Sequence, residues 1–155
     1  MSRAFFNPRV SNNFLDTCAF DPKKEPEASC ARAIFQLYDE GKVRLVLSHT
    51  NQKEMEHPNT PAEVKREAAS MIFTIAVPLT QPEVRRLSNI SVLLTGNALP
   101  SAHRADATHI NESIKYGGCF ITSDKRILSK KAELGEFGAI ILKPCEWMNF
   151  YTSDS

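Results

Sequence analysis

Residues 105–128 read ADATHINESIKYGGCFITSDKRIL, and the fold turns on how that stretch divides. Ala102, Asp106, Ile110 and Ile114 recur at spacings of four, which puts them on one face of a helix. Ser101 can cap that helix, and the Gly117-Gly118 pair can stop it. The run CFITS then has strand character, and Asp124 both closes the strand and suits the N-cap of a helix through DKRILSKKAEL. A helix, a tight turn, a strand and a second helix in that order are the makings of an α/β domain with a parallel sheet.

The same alternation extends outward. NNFLD (12–16) is a short strand that ends abruptly on Asp16. A Pro-punctuated turn leads to a helix over EASCARAIFQLYDEG (27–41), with Ala31, Ile34, Phe35 and Tyr38 on one stripe and Gly41 as its stop. KVRLVLS (42–48) is the second strand, and NQKEMEH (51–57) a short helix that ends before Pro58. Residues 60–77 predict a helix opened by Thr60 as N-cap, Pro61 and Glu63. Residues 81–96 are ambiguous between strand and helix and are assigned to a strand or bent connector followed by a loop. GAIILK (138–143) is the last strand. The expected fold is a three-layer α/β/α sandwich around a mainly parallel sheet of four to five strands. One domain spans 1–155, with residues 1–10 as an arm and 143–155 as a C-terminal extension.

Composition narrows the class without naming a function. The chain has 155 residues, enough for one full core, and 42% hydrophobic with 24% charged residues suits a globular protein. No apolar run approaches the roughly 18 residues of a membrane helix, and the start lacks a secretory pattern, so a cytoplasmic protein is expected. The net charge of +1 does not bear on nucleic-acid binding, which depends on local patches. Cys18, Cys30, Cys119 and Cys145 show no CxxC pair, and reduced thiols without a disulfide or zinc role are expected.

The acidic residues carry the chemistry. In an open α/β sheet, sites form where strands end and the following helices begin. Asp16 and Asp124 close two strands at that edge, Glu54 lies about a turn into the helix after the second strand, and Asp106 sits on the inward face of its helix. Glu56 competes with Glu54 for the same role. A buried carboxylate needs a partner, and no basic residue stands beside these four as a dedicated one. A hard divalent cation, Mg²⁺ or Mn²⁺, is the simplest partner for several converging carboxylates.

With these residues in view, the chain resembles the PIN domain family of metal-dependent ribonucleases, which includes the VapC toxins of toxin–antitoxin pairs. The likeness rests on FLDTCAF (14–20), on an acid after the second strand, and on the helix bearing Asp106 that leads through a Gly turn to Thr122-x-Asp124. It covers roughly residues 12–142, with no diagnostic motif over 58–100. Cys18 departs from the toxin pattern, which usually has Asn there.

The resemblance implies a metal-dependent endoribonuclease in which Asp16, Glu54, Asp106 and Asp124 hold Mg²⁺ or Mn²⁺. Thr122 would orient Asp124 or a metal-bound water, and Arg104, Lys125 and Arg126 would meet RNA phosphates. The partners the resemblance implies are RNA, an antitoxin protein and a second copy in a homodimer, and no membrane is expected. The alternative is a PIN-like module without catalysis that binds RNA or protein. His109 is read as a packing residue of its helix. Trp147, with Met148, Phe150 and Tyr151, is read as a packing clamp or dimer surface.

Overall fold

The structure is a computed structural model that describes residues 7–16, 24–49, 72–96 and 104–153. Five strands, β1 (Asn12–Leu15), β2 (Arg44–Leu47), β3 (Ile72–Phe73), β4 (Gly118–Ile121) and β5 (Ile141–Leu142), form one sheet in the order β3-β2-β1-β4-β5. Every neighbouring pair is parallel. The described helices are α1 (Glu27–Asp39), α2 (Gln81–Thr95), α3 (Arg104–Lys115), α4 (Lys125–Ser129), α5 (Lys131–Glu136) and α6 (Pro144–Ser153). The expected mixed α/β class with a parallel sheet is therefore what the chain forms. Among the described residues no helix is long and apolar enough to cross a membrane.

Each strand is too short for alternation to be obvious, yet its side chains sort by parity. Phe14, Val46, Phe120 and Ile141 join Leu87, Ile90 and Leu94 of α2, Ala107 and Ile110 of α3, Ile127 of α4 and Leu134 of α5. Leu15, Leu45, Leu47, Cys119, Ile121 and Leu142 pack instead with Ile34 of α1 and with Trp147 and Tyr151 of α6. A strand buried on both faces reads as a continuous apolar run, as RLVL and GCFI do. Burying each large side chain of this set contributes roughly 1.5–3 kcal/mol.

Asn13 is fully buried in the middle strand and joins four parts of the chain. Its Nδ2 donates to the carbonyl oxygens of Pro8 (3.0 Å), Ser11 (3.3 Å) and Arg44 (2.9 Å). Its Oδ1 accepts from Trp147 Nε1 at 3.0 Å and from the Cys119 thiol at 3.4 Å. Burial pushes the Cys119 pKa well up, which keeps that thiol an uncharged donor. Trp147 is thus a packing clamp, and the C-terminal segment belongs to the core. Arg9 reinforces it, with its guanidinium 4.0 Å from the Tyr151 ring centroid and a hydrogen bond to the Tyr151 carbonyl oxygen.

Gly118 is required by this packing. A Cβ there would stand 1.9 Å from the Asn12 carbonyl oxygen, so only glycine lets β4 approach β1 so closely.

Four expectations need correction. Residues 81–95 form a helix, because Thr80 and Glu83 make a reciprocal capping box: Glu83 N donates to Thr80 Oγ1 (3.3 Å) and Thr80 N to Glu83 Oε1 (2.8 Å). The helix expected over 60–77 does not run to its end, since Ile72 and Phe73 pair with Val46 and Leu47 as β3. A run of consecutive apolar and β-branched residues suits a parallel strand better than a helix. The single helix expected over 124–134 divides at Lys130, where the backbone leaves helical geometry and lets both Ile127 and Leu134 reach the core. Finally, Cys30 and Cys145 form a disulfide that ties α1 to α6, their Cα atoms 5.1 Å apart. Cys18, Glu54, Glu56, the helix at 51–57, the cap at Thr60 and the cap at Ser101 lie outside the described residues.

Replacing Asn13 with alanine should lower unfolding free energy by about 3 kcal/mol, since the Trp147 N–H and the Arg44 carbonyl lose a buried partner. Urea titration followed by Trp147 fluorescence measures this. A variant within 0.5 kcal/mol of the parent, roughly the level of a neutral surface change, would mean that the amide is replaceable. A non-reducing digest should yield a peptide cross-linked between Cys30 and Cys145.

Candidate functional site

The strand register carries one residue past the strand ends and lines up a polar row. Leu15 pairs with Ile121, and Asp16 N donates to the Ile121 carbonyl at 2.9 Å, which sets Asp16 beside Thr122. Phe14 pairs with Val46 and Val46 with Ile72, so Ser48 follows on the next strand and Thr74 on the one beyond. Thr74 N donates to the Leu47 carbonyl at 2.8 Å. Thr74, Ser48, Asp16 and Thr122 therefore stand side by side at the carboxyl edge. Parity with Phe14, Val46 and Phe120 turns this row towards α2 and α3.

Asp16 is buried, with 6% of its surface exposed, and Thr122 is wholly buried. The Thr122 hydroxyl donates to Asp16 Oδ2 at 2.7 Å and accepts from Asp124 N at 3.0 Å. One threonine thus joins the two strand-end aspartates. It fixes the Asp16 carboxylate and the entry to α4, whereas the sequence pointed to Asp124 or a metal-bound water as its partner. Asp124 itself caps α4, its Oδ1 accepting from Arg126 N (2.8 Å) and Ile127 N (3.3 Å).

Asp106 lies in the first turn of α3 and is half-buried. α3 leads directly into β4, so its amino end returns to the carboxyl edge of the sheet, where Asp16 and Asp124 are. Arg104 opens α3, and Lys125 and Arg126 open α4; all three are exposed. The oxygen donors present suit a hard divalent ion in kind. In number they are few, since the described residues contain no group of three or more His, Cys, Asp or Glu side chains placed to hold a metal ion. Asp16 and Asp124 are brought together through Thr122. Asp106 shares their edge, and Glu54 lies outside the described residues.

A second polar cluster, not anticipated from sequence, occupies the other end of the row. Glu112 on α3 is buried, and Thr74 Oγ1 lies 3.0 Å from both of its carboxylate oxygens. His49 Nδ1 sits 2.9 Å from Glu112 Oε2, and His49 N donates to Thr74 Oγ1 at 2.8 Å. Glu112, six residues after Asp106, lies off the stripe of Asp106, Ile110 and Ile114, so helical spacing carried no signal for it.

His109, on the same helix, is read correctly as packing: its ring meets Phe120 edge-on at 4.7 Å and Phe14 at 6.2 Å. Its Nε2 is buried without a hydrogen-bond partner among the described residues. Burial, with a smaller push from the charge of His49, lowers its pKa from 6.5 to about 3.

The unfolded chain therefore binds a proton at His109 between about pH 6.5 and 3 that the folded chain refuses. This group should make stability fall as pH drops below 6.5, by up to about 1.4 kcal/mol per pH unit. Urea titrations at pH 7, 6 and 5 on the parent and His109→Phe should show a shallower decline in the variant. Equal slopes would remove His109 as the cause. Comparison of the chain with protein-family models, curated proteins and solved structures gives no match.

Proposed function

We propose that the protein is a metal-dependent endoribonuclease with a PIN-like three-layer α/β/α fold, acting at the carboxyl edge of β1 and β4. The observation that carries this reading is the Thr122 hydroxyl joining Asp16 Oδ2 to the amide of Asp124. A buried aspartate held in one orientation at a parallel-sheet edge is a ligand prepared before its ion arrives. Asp106 at the amino end of α3 supports it, and Glu54 completes the set implied by the resemblance.

Mg²⁺ or Mn²⁺ bound there would supply the positive charge that an acidic site needs before it can accept a phosphodiester. The protein's own residues do the rest. Asp16, Asp106 and Asp124 bind and orient the ion, and Thr122 holds Asp16 in register. Arg104, Lys125 and Arg126 offer exposed cations along the rim for RNA phosphates, a contribution that weakens with salt.

One observation favours the second reading, a non-catalytic RNA-binding module: Asp124 already uses Oδ1 to cap α4. Cleavage separates the two. Labelled single-stranded RNA should be cut with Mn²⁺ or Mg²⁺, left intact with EDTA, and left intact by Asp16→Asn. Thr122→Val should slow cleavage by about 10- to 100-fold, the usual cost of losing a group that orients a metal ligand. Metal-independent cutting, or full activity in Asp16→Asn, would refute the proposed site.

A further inference from the structure

Beside the carboxylate edge lies a cavity of about 130 Å³ between α2, α3 and the chain that follows β3. Its walls are largely apolar, from Val77, Leu79 and Leu87, with Tyr116 among the residues that line it. His49, Thr108, Asn111, Glu112 and Lys115 bring polar chemistry to it, with the Lys115 ammonium paired to Glu83 at 3.4 Å. We propose that this cavity is a subsite for one nucleobase of the substrate, and that Glu112 selects a base presenting N–H donors, guanine before all others. The proposal rests on the nuclease reading for its choice of substrate and adds to it a source of base preference.

The physical argument begins with Glu112. A carboxylate that remains 8% exposed in an apolar surrounding needs donors. Among the described residues Thr74 and His49 supply two, while a carboxylate has about four lone-pair sites. Remaining acceptor capacity at the cavity calls for a ligand with an apolar body and a donor edge. Guanine has adjacent N1–H and N2–H donors that match the two oxygens of a carboxylate. Adenine and cytosine offer an amino group next to an acceptor, and uracil offers one N–H flanked by two carbonyl oxygens that would repel the carboxylate. Tyr116 is 40% exposed; its ring stacks on Phe14 at 6.5 Å with Lys115 Nζ 5.6 Å over it, so it bounds the cavity as an aromatic wall.

Position supports the same occupant. Thr74 and Asp16 stand two strands apart in the polar row, about 10 Å at the usual strand spacing of roughly 4.8 Å. A phosphate at Asp16 and a base from a neighbouring nucleotide at Glu112 fit that separation. Holding single-stranded RNA with one base splayed into a pocket is how sequence is read without a duplex. His49 and Thr74 are positioning residues here, since they touch Glu112 and fix its plane.

The test titrates the protein with GMP, AMP, CMP and UMP in EDTA, following Tyr116 and cavity methyl signals by NMR. The phosphate is common to all four probes, so affinity ratios report the base. GMP should bind about tenfold tighter than UMP, the scale of one bidentate base contact. Glu112→Gln should reduce the ratio to near one. Ala76→Trp, which fills the cavity from an exposed position, should abolish base binding with an unchanged melting temperature, so the test does not depend on the buried variant folding. The four RNA homopolymer cleavage rates should follow the same order in the parent.

Equal affinity for GMP and UMP, or GMP binding untouched by Ala76→Trp, would overturn the subsite even if the parent cleaves RNA. Binding of an arginine amide with no response to GMP would also overturn it and give the cavity to a basic peptide. A GMP preference lost in both variants, in a protein that cuts no RNA, would uphold the base subsite and remove only the nuclease reading.

Discussion

The buried amide of Asn13 is the constraint on which the rest is assembled. It sits on the middle strand, and its hydrogen bonds reach the turn before β1, the backbone of β2, the thiol of β4 and the indole of α6. A buried polar group of this kind is costly unless every partner is in place. Satisfied, it pins three neighbouring strands and the C-terminal helix in one register. That register then determines which residue follows each strand end, and therefore the composition of the polar row Thr74, Ser48, Asp16 and Thr122.

A parallel sheet directs all of its strand ends to one edge, so a small protein can gather chemistry there from distant parts of the chain. Thr122 shows how fine the control is. A shift of one residue in β4 would turn it to the opposite face, leaving Asp16 without its hydroxyl and Asp124 without the acceptor for its amide. The edge has two poles: Asp16 and Asp124 with Thr122 at the centre of the sheet, and Glu112 with Thr74 and His49 towards β3. α3 spans them, carrying Asp106 at its start and Glu112 in its third turn.

Much of the fold was legible because its signals are local. Strand character in CFITS, the apolar stripe of α1 and the Asp124 cap each depend on a few adjacent residues. The helix at 81–95 was equally legible through Thr80 and Glu83. It was misread because Val84, Ile90 and Val92 lent the segment strand character, and a capping box outweighs such weak preferences. Ile72 and Phe73 were misread in the opposite sense, since only pairing with β2 makes them a strand. The Cys30–Cys145 bond and the Glu112 cluster join residues far apart in sequence, and no spacing rule reaches them. Asp16 and Asp124 follow β1 and β4, as the strand ends alone indicated, and Asp106 lies in the first turn of α3. The partner that Thr122 takes depended on the β1–β4 register, which the sequence does not print.

Metal binding tests the account most directly, because it interrogates the strand-end aspartates without requiring the right RNA. Calorimetric titration of Mn²⁺ should show binding to the parent and a matching rise in melting temperature, as mass action demands of an ion that binds only the folded chain. Asp16→Asn should lose both while keeping its cooperative unfolding. Mn²⁺ binding and stabilisation that are the same in Asp16→Asn as in the parent would contradict the account, and so would a parent that neither binds nor is stabilised by the ion.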